Sequence, residues 1–152
     1  MNGIVRQLLV HSIGAFGGTL GYAFLLNAPK NTVLPASLTG LLGYVIYEVM
    51  LNLLSMSMIF SYFIATVVIA VICEIAARIM RMPSTIFLLT ALVPLVPGYT
   101  FYCAMLSIVE HNGAAFAAYG LEAVQIVAVI AVGAAVTSTL FRALTVRAAK
   151  HK

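Results

Sequence analysis

The chain has 152 residues, 63% of them hydrophobic and only 8% charged. A soluble domain carries about a quarter charged residues, so this pool cannot clothe a water-facing surface, whereas lipid can solvate it. Eight Lys and Arg against four Asp and Glu give a net charge of +4, but the basic residues stand at the ends of apolar runs. That placement excludes nucleic acid as a partner and points to membrane topology.

A helix crosses a bilayer core with about 20 apolar residues, and the polar and proline-rich points divide residues 1–152 into about five such spans. The whole chain reads as one all-α integral membrane domain, with the fourth span discontinuous at Pro94-Pro97-Gly98. Span 1, residues 4–26, has no small-residue cleavage site behind it and is too long for the apolar core of a signal peptide, so it reads as a retained helix. It carries Gly14, Gly17, Gly18 and Gly21. The pairs Gly14/Gly18 and Gly17/Gly21 each put two small residues on one face, where another backbone can approach. Packing within the chain is the first reading of that face, and contact with another copy the second. His11 reads as a hydrogen-bonding residue between helices rather than a ligand.

Span 2, residues 34–54, holds Glu48 on a face with Tyr44 and Asn52 at four-residue spacing. A carboxylate at that depth is costly in lipid and belongs in the bundle interior. Glu48 is therefore a candidate for carrying a proton or meeting a cation, with Asn52 beside it; a hydrogen-bonded structural role is the alternative. A short joint around Ser55-Met56-Ser57 leads to span 3, residues 58–80. There Glu74 precedes Arg78 by four residues, the spacing of an ion pair on a helix surface, or of a gate at the inner mouth.

Span 4, residues 85–109, breaks the helical rules. Pro83 suits a helix start, but Pro94 and Pro97 lie midway, where each removes a donor and leaves the carbonyls of Thr90 and Val93 without helical partners. Gly98 follows with its added backbone freedom. Unpaired backbone at this depth is tolerated only against protein or in a wet cavity. A second half-helix starting near Gly98-Tyr99-Thr100 would turn free N–H groups toward the midplane, where a substrate carboxylate binds well. Broken helices of this kind line the binding sites of transporters. Thr90, Val93, Pro94, Pro97, Gly98, Tyr99 and Thr100 are accordingly the candidate substrate-binding residues, with a plain proline kink as the alternative.

After the polar turn around Glu110-His111-Asn112-Gly113, span 5 runs over residues 121–144. Glu122 belongs to the interface, and Gln125 lies one turn deeper. Seven basic residues (Lys30, Arg78, Arg81, Arg142, Arg147, Lys150 and Lys152) fall on one side of the five-span arrangement and Arg6 alone on the other. The positive-inside bias places the N-terminus outside and the C-terminus in the cytoplasm. Cys73 and Cys103 fall inside apolar runs without metal-ligand spacing. The chain contains no Asp and none of the sequence motifs of zinc proteases, serine hydrolases or phosphate-binding loops. No enzyme activity, cofactor or metal is expected.

The segment Pro83-Ser-Thr-Ile-Phe … Pro94-Leu-Val-Pro97-Gly98 … Tyr102, followed by an alanine-rich last span, resembles the threonine/serine exporter family, and within it the stand-alone small subunit equivalent to the C-terminal half of the fused exporters. The resemblance implies a secondary transporter exporting small polar metabolites that bear a carboxylate, threonine and serine or dicarboxylates, across the bacterial inner membrane. It also implies a partner, a larger membrane subunit with a cytoplasmic N-terminal region. Oppositely oriented halves would then enclose a midplane site. A structural subunit that stabilises a partner without binding substrate is the competing expectation.

Overall fold

The computed structural model describes residues 2–150, with the side chains of 2–5, 7–9 and 145–150 outside the description. The C-terminal charges assigned to Arg147, Lys150, His151 and Lys152 therefore lie outside the described residues or side chains. The chain is helical almost throughout. Helix α1 spans Asn2–Leu25 and α2 spans Lys30–Glu48, continuing into a π-helical turn at Val49–Leu53. Helix α3 spans Met58–Met80. Helix α4 (Ser84–Ala91) passes through a 3₁₀ turn at Val93–Leu95 into α5 (Gly98–Val109), and α6 runs over Gly113–Lys150.

Among the described residues, Lys30–Leu53, Met58–Met80 and Gly113–Leu144 are each long and apolar enough to cross a membrane. Ser84–Leu95 with Gly98–Val109, bent by 57°, makes a fourth crossing if the pair counts as one. The fold is all-α and membrane-like. The fifth crossing expected from sequence is α1, whose first turns carry side chains outside the description, so the count of five remains an expectation.

Each helix stops for a local reason. Asn27, Arg81 and His111 adopt the left-handed conformation with φ near 50°. In each case the next N–H reaches back five residues to a helix carbonyl: Ala28 to Ala23, Met82 to Ala77, and Asn112 to Ser107. This closure satisfies carbonyls that lipid could not. Ser55 is left-handed too and ends the π turn. Pro35 does not delay α2, which begins four residues before the expected span; Pro29 caps it, and the Thr32 hydroxyl donates to the Pro29 carbonyl at 2.8 Å. Helix α6 starts eight residues before the expected Leu121. Its Ala-rich first turns favour helix, and the Asn112 side chain accepts the Ala115 N–H at 3.1 Å, an N-cap.

The core lies where α2, α3, α4 and α6 meet, around Ala65, Ile69, Cys73, Phe87, Ala91, Leu95 and Ile126. Small residues bring the backbones close. A Cβ on Gly43 would collide with Ile69 Cδ1, and one on Gly40 would meet Thr19 Oγ1 at 2.8 Å and the Ala91 carbonyl oxygen at 3.1 Å. Six buried hydroxyls are answered within their own helices: Thr19, Ser37, Thr39, Thr90, Ser107 and Thr137 each donate to the carbonyl four residues earlier, whereas those of Ser12 and Thr66 have no partner among the described residues.

The first reading of the α1 glycines is overturned. A Cβ at Gly14, Gly17, Gly18 or Gly21 would meet nothing within 4 Å. Helix α1 packs on α2 through its other face, burying Ser12, Thr19 and Ala23.

Candidate functional site

The break in the fourth span is real and has a definite geometry. Helix α4 ends at Ala91, and the Leu95 and Val96 N–H groups donate to Leu92 and Val93, three residues back. The expectation that Val93 loses its carbonyl's partner is thus corrected, because the 3₁₀ turn supplies Val96 in place of Pro97. Pro97 sits at φ −76°, ψ 60° while the Gly98 N–H donates to the Val96 carbonyl at 2.7 Å. That is a tight three-residue turn. It reorients the chain so that α5 leaves at 57° to α4, with the Phe101 N–H closing on the Pro97 carbonyl.

Two cavities flank this turn. A larger one, about 600 Å³, is lined by Leu89, Leu92, Val93, Val96, Pro97 and Gly98, with Tyr22 of α1 and Val127 and Ile130 of α6. A smaller one, about 340 Å³, is lined by Val10, His11, Gly14 and Ala15 of α1, Tyr44 of α2, and Pro94. The two prolines therefore face different spaces. Of the substrate-binding candidates, Val93, Pro97 and Gly98 share the first cavity and Pro94 belongs to the second. Thr90 is fully buried and its hydroxyl is used by the Ile86 carbonyl at 2.9 Å. Tyr99 is 78% exposed and points out of the fold, so it joins neither cavity. Thr100 is buried beside the start of α5.

The ionisable candidates separate into two groups. Glu48 and Asn52 come together: one Glu48 carboxylate oxygen accepts the Tyr44 hydroxyl at 2.7 Å and the other accepts the Asn52 side-chain amide. His11 approaches from α1, its Nδ1 3.7 Å from the same oxygen that Tyr44 bonds. The imidazole also meets the Tyr44 ring edge-on, and a run of rings continues through Tyr47 to Tyr62 on α3. The π turn begins right after Glu48, and such turns concentrate at functional sites.

Glu74 and Arg78 lie elsewhere, Glu74 about 18 Å beyond Tyr62 along α3 at 1.5 Å per residue. The expected surface ion pair is replaced by another contact. Arg78 Nη2 donates to the Phe141 carbonyl at 3.0 Å, and its guanidinium lies 4.9 Å over the Phe141 ring, tying α3 to α6. Glu74 is buried and lines neither cavity. Sequence reasoning undervalued His11. A lone histidine 37 residues from Glu48 carries no spacing signal; only helix packing joins them.

A bent, proline-broken helix pair with cavities on both sides is an arrangement that many transporters use. Residues 11–140 match the family model described as "Threonine/Serine exporter, ThrE". The chain belongs to the threonine/serine exporter family. An uncharacterized protein of Haemophilus influenzae (strain ATCC 51907 / DSM 11121 / KW20 / Rd) is 29% identical to this exporter-family chain over 105 residues. The match covers 68% of the chain and 35% of that protein, so the chain spans about a third of the length of this relative. No solved structure matches. As an exporter-family member the chain is a multi-pass membrane protein of a transporter family, not of an enzyme family.

Proposed function

We propose that this chain is one subunit of a secondary exporter that moves small polar carboxylate-bearing metabolites, amino acids such as threonine and serine or dicarboxylates, out across the bacterial inner membrane. The observation that carries the proposal is the break between α4 and α5, a 57° bend flanked by two cavities in a chain of the exporter family. The Pro94–Gly98 turn forms part of the substrate path, with Gly98 and the first turn of α5 offering backbone N–H groups to a carboxylate. Glu48 takes part in coupling transport to the gradient. The N-terminus is outside and the C-terminus cytoplasmic, as the basic residues favour.

The partner is a larger exporter-family subunit with a cytoplasmic N-terminal region, and the two enclose the site as oppositely oriented halves. The open glycine face of α1 suits either that subunit or a second copy through Gly14/Gly18 and Gly17/Gly21. The greater length of the Haemophilus relative is in keeping with a larger exporter assembly. The apolar lining of the larger cavity favours a second reading, a structural subunit that supports the partner's site without touching solute.

Efflux from proteoliposomes, with and without the larger subunit, separates the two readings. The double substitution Pro97→Ala with Gly98→Ala should straighten the span and weaken substrate affinity at least tenfold. Wild-type affinity in that variant removes the break from the site. Glu48→Gln should insert normally and lose gradient-driven transport; undiminished driven transport would end its coupling role.

A further inference from the structure

We propose that His11 is the proton-carrying group of this subunit, and that Glu48 is its fixed counter-charge across the α1–α2 interface. Its role in transport rests on the exporter reading above; the existence of the pair does not. The geometry points first to the kind of ligand the carboxylate accepts. Both Glu48 oxygens already receive donors, the Tyr44 hydroxyl and the Asn52 amide, and His11 Nδ1 stands 3.7 Å from one of them. Hard metal cations need acceptor oxygens around them, and this carboxylate is ringed by donor groups instead. Among the described residues no group of three or more His, Cys, Asp and Glu gathers to hold a metal. A proton on the imidazole, by contrast, completes the arrangement without displacing anything. A hydronium ion gives up one O–H bond and leaves as water while its proton forms an N–H bond on the unprotonated ring nitrogen of His11, and the imidazolium then faces a carboxylate already held in place.

Access and consequence are both built in. The His11 side chain is 52% exposed while that of Glu48 is 15% exposed, so the histidine is the more open member of the pair. Glu48 lies five residues before the end of the π turn, about 8 Å along the axis. The groups facing the pair are Tyr44 and Tyr47 on α2 and Tyr62 on α3, with Glu122 of α6 acting on Tyr62 from beyond it. The break contributes Pro94, which has no titratable group, and the cavity between His11, Tyr44 and Pro94 joins the pair to that break. The 3₁₀ turn at Val93–Leu95 rests directly on α1 and α2. A neutral His11 at 3.7 Å holds α1 loosely, and an imidazolium draws it toward α2 and shifts the surface on which the break rests. Protonation at one end of the α1–α2 seam is thereby transmitted to the substrate path.

The test uses the full chain with nitrogen-labelled histidine in lipid nanodiscs. The chain has three histidines, His11, His111 and His151, and the His11→Asn spectrum assigns the first. The His11 ring-nitrogen signals should respond to pH, and that response should differ between the wild type and Glu48→Gln, which removes the facing charge. His111→Asn should leave it unmoved. A His11 response indifferent to Glu48→Gln, or no response at all, overturns the proposal without requiring transport. In proteoliposomes that hold the chain together with the larger subunit and are preloaded with threonine, His11→Asn should flatten the pH dependence of efflux. An unchanged pH profile in that variant, with efflux intact, also overturns it and leaves the exporter reading standing. Should His11→Asn fail to insert, His11→Gln takes its place in both assays. Absence of any wild-type efflux beside a coupled His11 titration defeats the exporter reading alone and supports the pair.

Discussion

Helices α1 and α2 both carry closely spaced glycines, and the two sets behave in opposite ways. Gly40 and Gly43 of α2 are pressed against Thr19, Ala91 and Ile69, so that a single added carbon has no place to go. Gly14, Gly17, Gly18 and Gly21 of α1 look out on open space, although their four-residue spacing is the more familiar signature of close packing. Spacing alone therefore says that a helix can be approached, not by what. The packed pair is spaced by three residues and lies in the interior of the bundle, where α1 and α4 close on one side of α2 and α3 on the other.

The contrast can be broken by substitution. Gly43→Ala should be the most damaging, because Ile69 is fully buried and has no room to swing away; overpacking of this kind costs about 1–3 kcal/mol. Equilibrium unfolding of the purified chain in mixed micelles measures it, and wild-type stability would show that the α2–α3 seam is loose. Gly40→Ala should cost about 1 kcal/mol, at the lower end of that range, since the Thr19 side chain meets the new carbon before the Ala91 carbonyl does. Combining it with Thr19→Ala tests the assignment, because the pair should interact and be less harmful than the sum. Gly18→Ala should leave the isolated chain unchanged or stabilise it by up to about 0.5 kcal/mol, as alanine suits a helix interior better than glycine. A clear loss of stability in the isolated chain would mean that the α1 face is packed internally after all. A loss only of association, read by energy transfer between labelled subunits, would identify it as a contact surface. The smallest effect is expected at Thr66, whose buried hydroxyl has no partner. Thr66→Val keeps the shape and removes the unpaired group, for a gain below about 1 kcal/mol.

The fold was legible wherever local chemistry decides it. Helix α3 occupies the predicted residues 58–80 because Ser57 and Arg81 bound an unbroken apolar run. The break fell at Pro94–Gly98 because prolines remove donors whatever surrounds them. Helix α6 begins eight residues before the span expected from Leu121, because the Ala-rich run after Asn112 is a good helix former whatever its place in a span. What depends on the packing of distant segments was not legible. Nothing in the sequence joins His11 to Glu48, directs Tyr99 outward, or sends Arg78 to Phe141 rather than Glu74. Those outcomes depend on which helix faces meet, and apolar composition all round a membrane helix leaves little amphipathic signal from which to read its inner face.

The four left-handed residues at the helix ends have a mechanical meaning. Asn27, Ser55, Arg81 and His111 each close a reversal with backbone bonds that reach back over the preceding turn, so the corners of the bundle act as stiff brackets. The α4–α5 joint lacks any such bracket and is held by a three-residue turn around Pro97. In a frame with stiff corners, the joint of a different build is the one that both cavities meet.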